Sequence, residues 1–205
     1  MLRSTNVILL TGYAGTGKDT FFKTLTGKEK GYEFLVYAKD FSYDFRRYTF
    51  RKKGQFNRIG LADILKEEVE KIYNIPHDYQ DKNSPVFEYE GEKVSARDMW
   101  IIHGKDRRDE DIDYWCKKAT IDPDCVNIVT DWRFFNELKY WINLCPITAR
   151  IFRSEVPEPP LEKESEHQLD DVRTDILIVT SHKEFRLATK RFGYGEDYKL
   201  IFVLK

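Results

Sequence analysis

Net charge is the first thing this sequence lacks. Thirty-four lysines and arginines nearly cancel thirty-five aspartates and glutamates, leaving a formal charge of −1. A chain so balanced has no overall attraction to nucleic acid or to an anionic membrane, so any anion it binds must be held locally. Cysteine is scarce as well. Cys116, Cys125 and Cys145 are odd in number and lack metal-ligand spacing, which suits reduced thiols in a cytoplasmic compartment and reads all three as buried packing residues. No apolar stretch approaches the ~18 residues of a membrane span, and Met1-Leu2-Arg3-Ser4 leads directly to the first apolar run, an expectation against secretion. His77, His103, His167 and His182 are scattered, and no nucleophile, histidine base and carboxylate arrangement is visible. No internal repeat is present.

What remains is enough apolar material for a core. With 41% hydrophobic and 15% aromatic residues in 205, residues 1–205 read as one domain with insertions. Strand-like runs at Glu33–Ala38, Cys125–Thr130, Ile147–Phe152, Ile176–Val179 and Lys199–Leu204 alternate with helical patterns, which predicts a three-layer α/β fold with a central parallel sheet covered on both faces. Leu61, Ile64, Leu65, Val69, Ile72 and Tyr73 form one helical core stripe, and Phe134, Leu138, Trp141 and Ile142 another. Ser95-Ala96-Arg97-Asp98 is a capping box opening a helix to about Ile102, with Gly104 ending it, and a second short helix carries Ile112, Trp115, Cys116 and Ala119.

Two segments break the alternation. Residues 41–57 read as a surface insertion, aromatic and basic, with Arg46, Arg47, Arg51, Lys52 and Lys53; such a mixture could suit nucleic acid, but no known nucleic-acid motif accompanies it. Residues 154–171, with Pro157, Pro159 and Pro160 among acidic side chains, read as a mobile flap.

The most informative stretch is Val7-Ile8-Leu9-Leu10-Thr11 running into Gly12-Tyr13-Ala14-Gly15-Thr16-Gly17-Lys18-Asp19-Thr20. Glycines let backbone N–H groups turn inward, a helix N-terminus adds partial positive charge, and a lysine can follow β- and γ-phosphates. Asp19 stands where a hydroxyl residue usually follows the lysine, with Thr20 next. Asp131 closes the apolar run Val126–Thr130 where Mg²⁺ waters would be oriented, or else caps the following helix. Cationic residues gather at Lys66, at Arg97 with Lys105, Arg107 and Arg108, at Arg133, and at Arg150 with Arg153. Phosphoryl transfer needs cations from separate segments around the moving group. Tyr13, Tyr114, Trp115 and Trp132 are all candidates for stacking on a base.

These residues carry a resemblance. Gly-Thr-Gly-Lys-Asp-Thr at 15–20, Leu-Ala-Asp-Ile-Leu-Lys at 61–66, Arg97 through Gly104, Arg107 and Arg108 to Trp115, Asp131 through Glu137, and Ser165-Glu166-His167 with Leu169-Asp170 resemble the deoxynucleoside monophosphate kinase family of P-loop kinases found in phages and large DNA viruses. The resemblance implies a P-loop kinase fold with a substrate-binding insertion and a mobile lid. It implies ATP held at Gly12, Ala14, Gly15, Thr16, Gly17, Lys18, Asp19 and Thr20, with Arg150 and Arg153 as lid arginines. Mg²⁺ would lie near Asp19, Thr20 and Asp131. A deoxynucleoside monophosphate would be held by Lys66, Arg97, Arg107, Arg108 and Arg133, with Asp131 and Glu166 as further contacts and Glu137 positioning an arginine or a sugar hydroxyl, while Lys18, Arg107, Arg108 and Arg133 stabilise transfer. A cytoplasmic enzyme follows, in the host cytoplasm if viral, with no nucleic-acid or membrane partner and with a homodimer left open.

Departures exist: the segment before Leu61 is longer than usual in that family, and Ile64 stands where proline is common. Animal-type phosphomevalonate kinases share the same skeleton, and Arg97-Asp98-Met99 leans that way. A non-catalytic nucleotide-binding scaffold is the further alternative.

Overall fold

A computed structural model describes residues 6–39, 56–161 and 164–205. In chain order the elements are β1 (Val7–Thr11), α1 (Lys18–Leu25), β2 (Phe34–Lys39), β3 (Phe56–Ile59), α2 (Leu61–Tyr73), β4 (Phe87–Tyr89), β5 (Glu92–Val94), α3 (Ala96–Glu110), α4 (Tyr114–Lys118), β6 (Val126–Val129), α5 (Phe135–Tyr140), β7 (Ile147–Ile151), α6 (Glu164–His167), β8 (Ile176–Val179), α7 (His182–Phe192) and β9 (Tyr198–Leu204). The basic segment 41–55 lies outside the described residues, and the last two residues of the expected insertion, Phe56 and Asn57, instead open β3. The chain divides into two compact units, residues 1–59 with 121–205 and residues 60–120.

The larger unit holds a seven-stranded sheet in the order β3-β6-β1-β7-β8-β2-β9. β3, β6, β1, β7 and β8 run parallel. β2 corrects the all-parallel expectation, since it pairs antiparallel with both β8 and β9. A strand buried on both faces is apolar throughout whichever way it runs, so its direction leaves no trace in its composition. Alternate residues divide between the two faces. Phe34, Val36, Ile176 and Ile178 pack with Phe21, Phe22 and Leu25 of α1, while Leu35, Tyr37, Leu177 and Val179 pack with Ala188 of α7 and Tyr194. The sheet is therefore covered on both sides by helices.

Position relative to β1 decides where ligands can gather. From β1 the succession of parallel strands moves outward to β3 and β6 on one side, then crosses to β7 and β8 on the other. In open α/β sheets such a reversal marks the carboxyl ends of β1 and its neighbours as the place where ligands bind.

The smaller unit packs its helices around Val69, Ile75, Ala96 and Met99 and carries the β4–β5 hairpin, which periodicity did not reveal. The capping box is present: the Ser95 hydroxyl accepts from the Asp98 N–H at 3.1 Å, and the Asp98 carboxylate accepts from the Ser95 N–H at 3.0 Å. Gly104, however, does not end the helix, which continues to Glu110. A Cβ at that position would lie 2.6 Å from Leu65 Cδ1, so the end of that half-buried side chain would have to move. Gly104→Ala gains up to ~1 kcal/mol of helix propensity but overpacks at about 1–3 kcal/mol. The expected result in urea denaturation is a net loss of about 1 kcal/mol, and a stabilised variant would refute the packing account.

Three expected core residues are solvent-facing instead. Ile72, Ile112 and Ile142 are half exposed or more; Ile112, expected in the second short helix, lies in the turn before α4, and Ile142 lies in a single 3-10 turn after α5. Of the cysteines only Cys116 is buried; Cys125 is half-buried and Cys145 exposed.

Candidate functional site

β1 is buried along its whole length, and the chain leaves it through a turn that only glycine can make. At Gly12 φ is 145°, and a Cβ would fall 2.5 Å from the Ile151 carbonyl oxygen and 2.9 Å from Thr16 Oγ1. Backbone of β7 cannot retreat from such a clash, so the position excludes any side chain. Gly17 caps α1 at φ 93° with no side-chain hydrogen bond, so the first N–H groups of α1 are left for a ligand. Thr16 shapes the turn from inside: its hydroxyl and its N–H both donate to the Tyr13 carbonyl, at 2.9 and 3.2 Å.

Lys18 folds back over this loop. Its Nζ donates to the carbonyls of Gly12 at 2.5 Å and Tyr13 at 2.9 Å. Burial pulls its ammonium down to about 8 and the like charge of Arg133 adds to this, while the carboxylates of Glu166, Asp131 and Asp19 oppose it. The cation is thus poorly solvated and surrounded by formal charges, a state that an incoming polyanion would relieve.

Neighbouring elements bring the other groups. β6 lies beside β1, and the Trp132 N–H donates to the Leu10 carbonyl at 3.2 Å, which holds Asp131 next to the loop. Arg133 follows and pairs with Glu166, whose other carboxylate oxygen accepts the Ala14 N–H at 3.2 Å. Gly12, Ala14, Gly15, Thr16, Gly17, Lys18, Asp131, Arg133 and Glu166 therefore form one constellation. Thr20 sits half-buried on the first turn of α1. Asp19 is exposed and pairs with Arg58 at 3.0 Å, while its charge also acts on Lys18.

Several sequence expectations change with placement. Arg150 is 3% exposed; its guanidinium donates to the carbonyls of Leu169 and Val172 and stacks on Phe192 at 4.2 Å. It anchors the segment after α6 from beneath. Arg153 is half-exposed and pairs with Glu155 at 2.9 Å. Glu137 is buried, accepting the N–H groups of Arg133 at 2.9 Å and Phe134 at 3.2 Å. It shapes the backbone that carries Arg133, in keeping with a carboxylate that positions an arginine. Tyr13, Trp115 and Trp132 are buried, which removes them as platforms for a base.

Lys66, Arg97, Arg107 and Arg108 belong to the smaller unit. Lys66 lies over the Trp100 ring at 4.8 Å, and Arg97 donates to Asn83 at 3.3 Å. Arg107 and Arg108 occupy the last turn of α3, where a helix C-terminus favours cations. Arg107 pairs with Glu68 at 3.2 Å and Glu110 at 3.0 Å. Glu68, which sequence reading passed over as a helix-surface acid, also accepts from Tyr114, Lys118 and His103.

A second group escaped notice because its members are far apart in sequence. The Tyr13 hydroxyl donates to Asp170 at 2.8 Å and accepts from Arg191 at 2.7 Å; Arg191 also pairs with Glu158 at 2.8 Å. His167 bridges Asp170 at 2.8 Å and the Pro159 carbonyl at 3.0 Å, and its hydrogen bond to Asp170 raises its pKa against the opposing effect of burial. Leu169 is buried. Residues 165–170 are thus docked onto the loop, whereas composition read them as an unpacked flap. No family model matches the chain, and no curated protein matches it in sequence.

Proposed function

We propose that the protein is an ATP-dependent kinase of P-loop type that transfers the γ-phosphoryl group to a deoxynucleoside monophosphate. The observation that carries this reading is Lys18: a desolvated ammonium lying on a glycine turn at the carboxyl edge of a parallel sheet, with Asp131 and Arg133 beside it. The acceptor class rests on the resemblance described above, and Lys66, Arg97, Arg107 and Arg108 are the candidates for its phosphate.

In this reading the loop amides and the N-terminus of α1 hold the donor phosphates while Lys18 neutralises charge on the migrating group. An acceptor phosphate oxygen attacks the γ-phosphorus as the bond to the β–γ bridging oxygen breaks, and ADP leaves with those electrons. The acceptor is already anionic at neutral pH, so positioning and charge neutralisation carry the step without a general base. Mg²⁺ fits the hard oxygen donors of Asp131 and Thr20 and, when bound, would neutralise donor phosphate charge.

A coupled ADP-release assay with Mg-ATP and each of the four deoxynucleoside monophosphates tests this. Acceptor-stimulated turnover with at least one of them is expected. Turnover only with phosphomevalonate would move the acceptor to that alternative, and ATP binding without any acceptor-stimulated turnover would reduce the protein to a nucleotide-binding scaffold.

A further inference from the structure

Glu166 occupies a peculiar place. Its side chain is 11% exposed, it accepts the Ala14 N–H from inside the glycine-rich turn, it pairs with Arg133, and its charge acts on Lys18. A loop amide and an arginine on one carboxylate, within the field of a lysine that it does not touch, are the partners that a phosphate oxygen would take. We infer that Glu166 is an internal occupant of the loop's anion site, seated there by the docked segment 165–170, and that a polyphosphate binds by displacing it. This inference rests on the reading of the loop as a polyphosphate site and adds its regulation.

The seat depends on contacts that do not themselves touch the anion position. His167 is tied to Asp170 and Pro159 and meets the Tyr13 ring edge-on at 5.8 Å. Asp170 holds the Tyr13 hydroxyl, and Arg150 holds the Leu169 and Val172 carbonyls. Glu166 is thus carried to the loop by a clamp built on Tyr13, a residue of the loop itself. One carboxylate brings a single negative charge, whereas a polyphosphate brings several, so the ligand wins Lys18 and Arg133 by charge while the undocked state remains the one competent to bind. Apparent affinity is then lowered by the fraction of molecules in which the seat is taken.

Inorganic tripolyphosphate is the probe, titrated calorimetrically into the full chain and into Glu166→Gln and His167→Gln, with hydrogen exchange of residues 165–170 followed in the wild type. Glu166→Gln is expected to bind at least ~10-fold more tightly. His167→Gln leaves the Glu166 charge in place but loosens its seat, so it is expected to bind a few-fold more tightly. If Glu166 acted only as a nearby negative charge, loss of His167, whose proton Asp170 holds more firmly, would leave affinity unchanged or weaker. Exchange at 165–170 should rise when tripolyphosphate binds. Equal affinity in all three proteins with unchanged exchange would overturn the displacement while leaving the polyphosphate site standing. Absence of binding to every variant would overturn the loop reading and this inference with it.

Discussion

Lys18→Ala is expected to lower acceptor-stimulated turnover by at least ~10², the scale on which one preorganised charge-stabilising group is worth. Stability should move the other way or not at all. The Lys18 ammonium is held at about 8 by burial and by Arg133, so the folded protein keeps a charge that it solvates poorly, and removing that charge relieves the fold. A structural lysine would behave oppositely, since its two hydrogen bonds to the Gly12 and Tyr13 carbonyls would be missed on unfolding while chemistry survived. The two accounts therefore differ in the sign of the stability change and in the size of the activity change. Turnover within a few-fold of wild type, with a lowered melting temperature, would remove Lys18 from the mechanism.

Glu68 carries the second large expectation. Burial alone would push its carboxyl up, but hydrogen bonds from Lys118, Tyr114 and His103 outweigh that and bring it to about 2. Its side chain is 13% exposed, so solvent screens the network only in part. A carboxyl depressed from its ordinary 4.5 to about 2 contributes about 3 kcal/mol to stability above the unfolded pKa. As pH falls from about 4.5 toward 2 the unfolded chain takes up a proton that the folded one refuses, and the contribution is lost across that window. Glu68→Gln is expected to cost on the order of 2–3 kcal/mol at neutral pH, with faster hydrogen exchange confined to residues 60–120 and a flattened acid limb below pH 4.5. Unaltered exchange there, with the wild-type acid profile retained, would show that the four donors around Glu68 contribute nothing net.

Different kinds of feature were legible in the chain to different degrees. β1, β8 and the Ser95 cap were readable because each is encoded within a few residues: an unbroken apolar run for a strand buried on both faces, and a hydroxyl three places before a carboxylate for the cap. β3 was not, since Asn57 and Arg58 make it look polar. Those residues are satisfied by Asn127 at 2.9 Å and Asp19 at 3.0 Å, partners that no local window contains. Gly104 was misread for the same reason: a glycine near a helix end signals a stop, but the atom that a Cβ there would meet belongs to Leu65 on another helix.

By itself the sequence determined the α/β class and the glycine-rich turn with its lysine, because apolar runs, turn glycines and helix caps act over one or two turns of chain. It also supplied most of the residues that meet at that turn. Only the tertiary structure decided that Arg150 and Glu137 serve the scaffold, that β2 runs against its neighbours, and that Glu166 reaches Ala14 across 152 residues. Charge and hydrogen-bond partners of a buried polar group are set by whatever the fold packs against it, and that information is distributed over the whole chain.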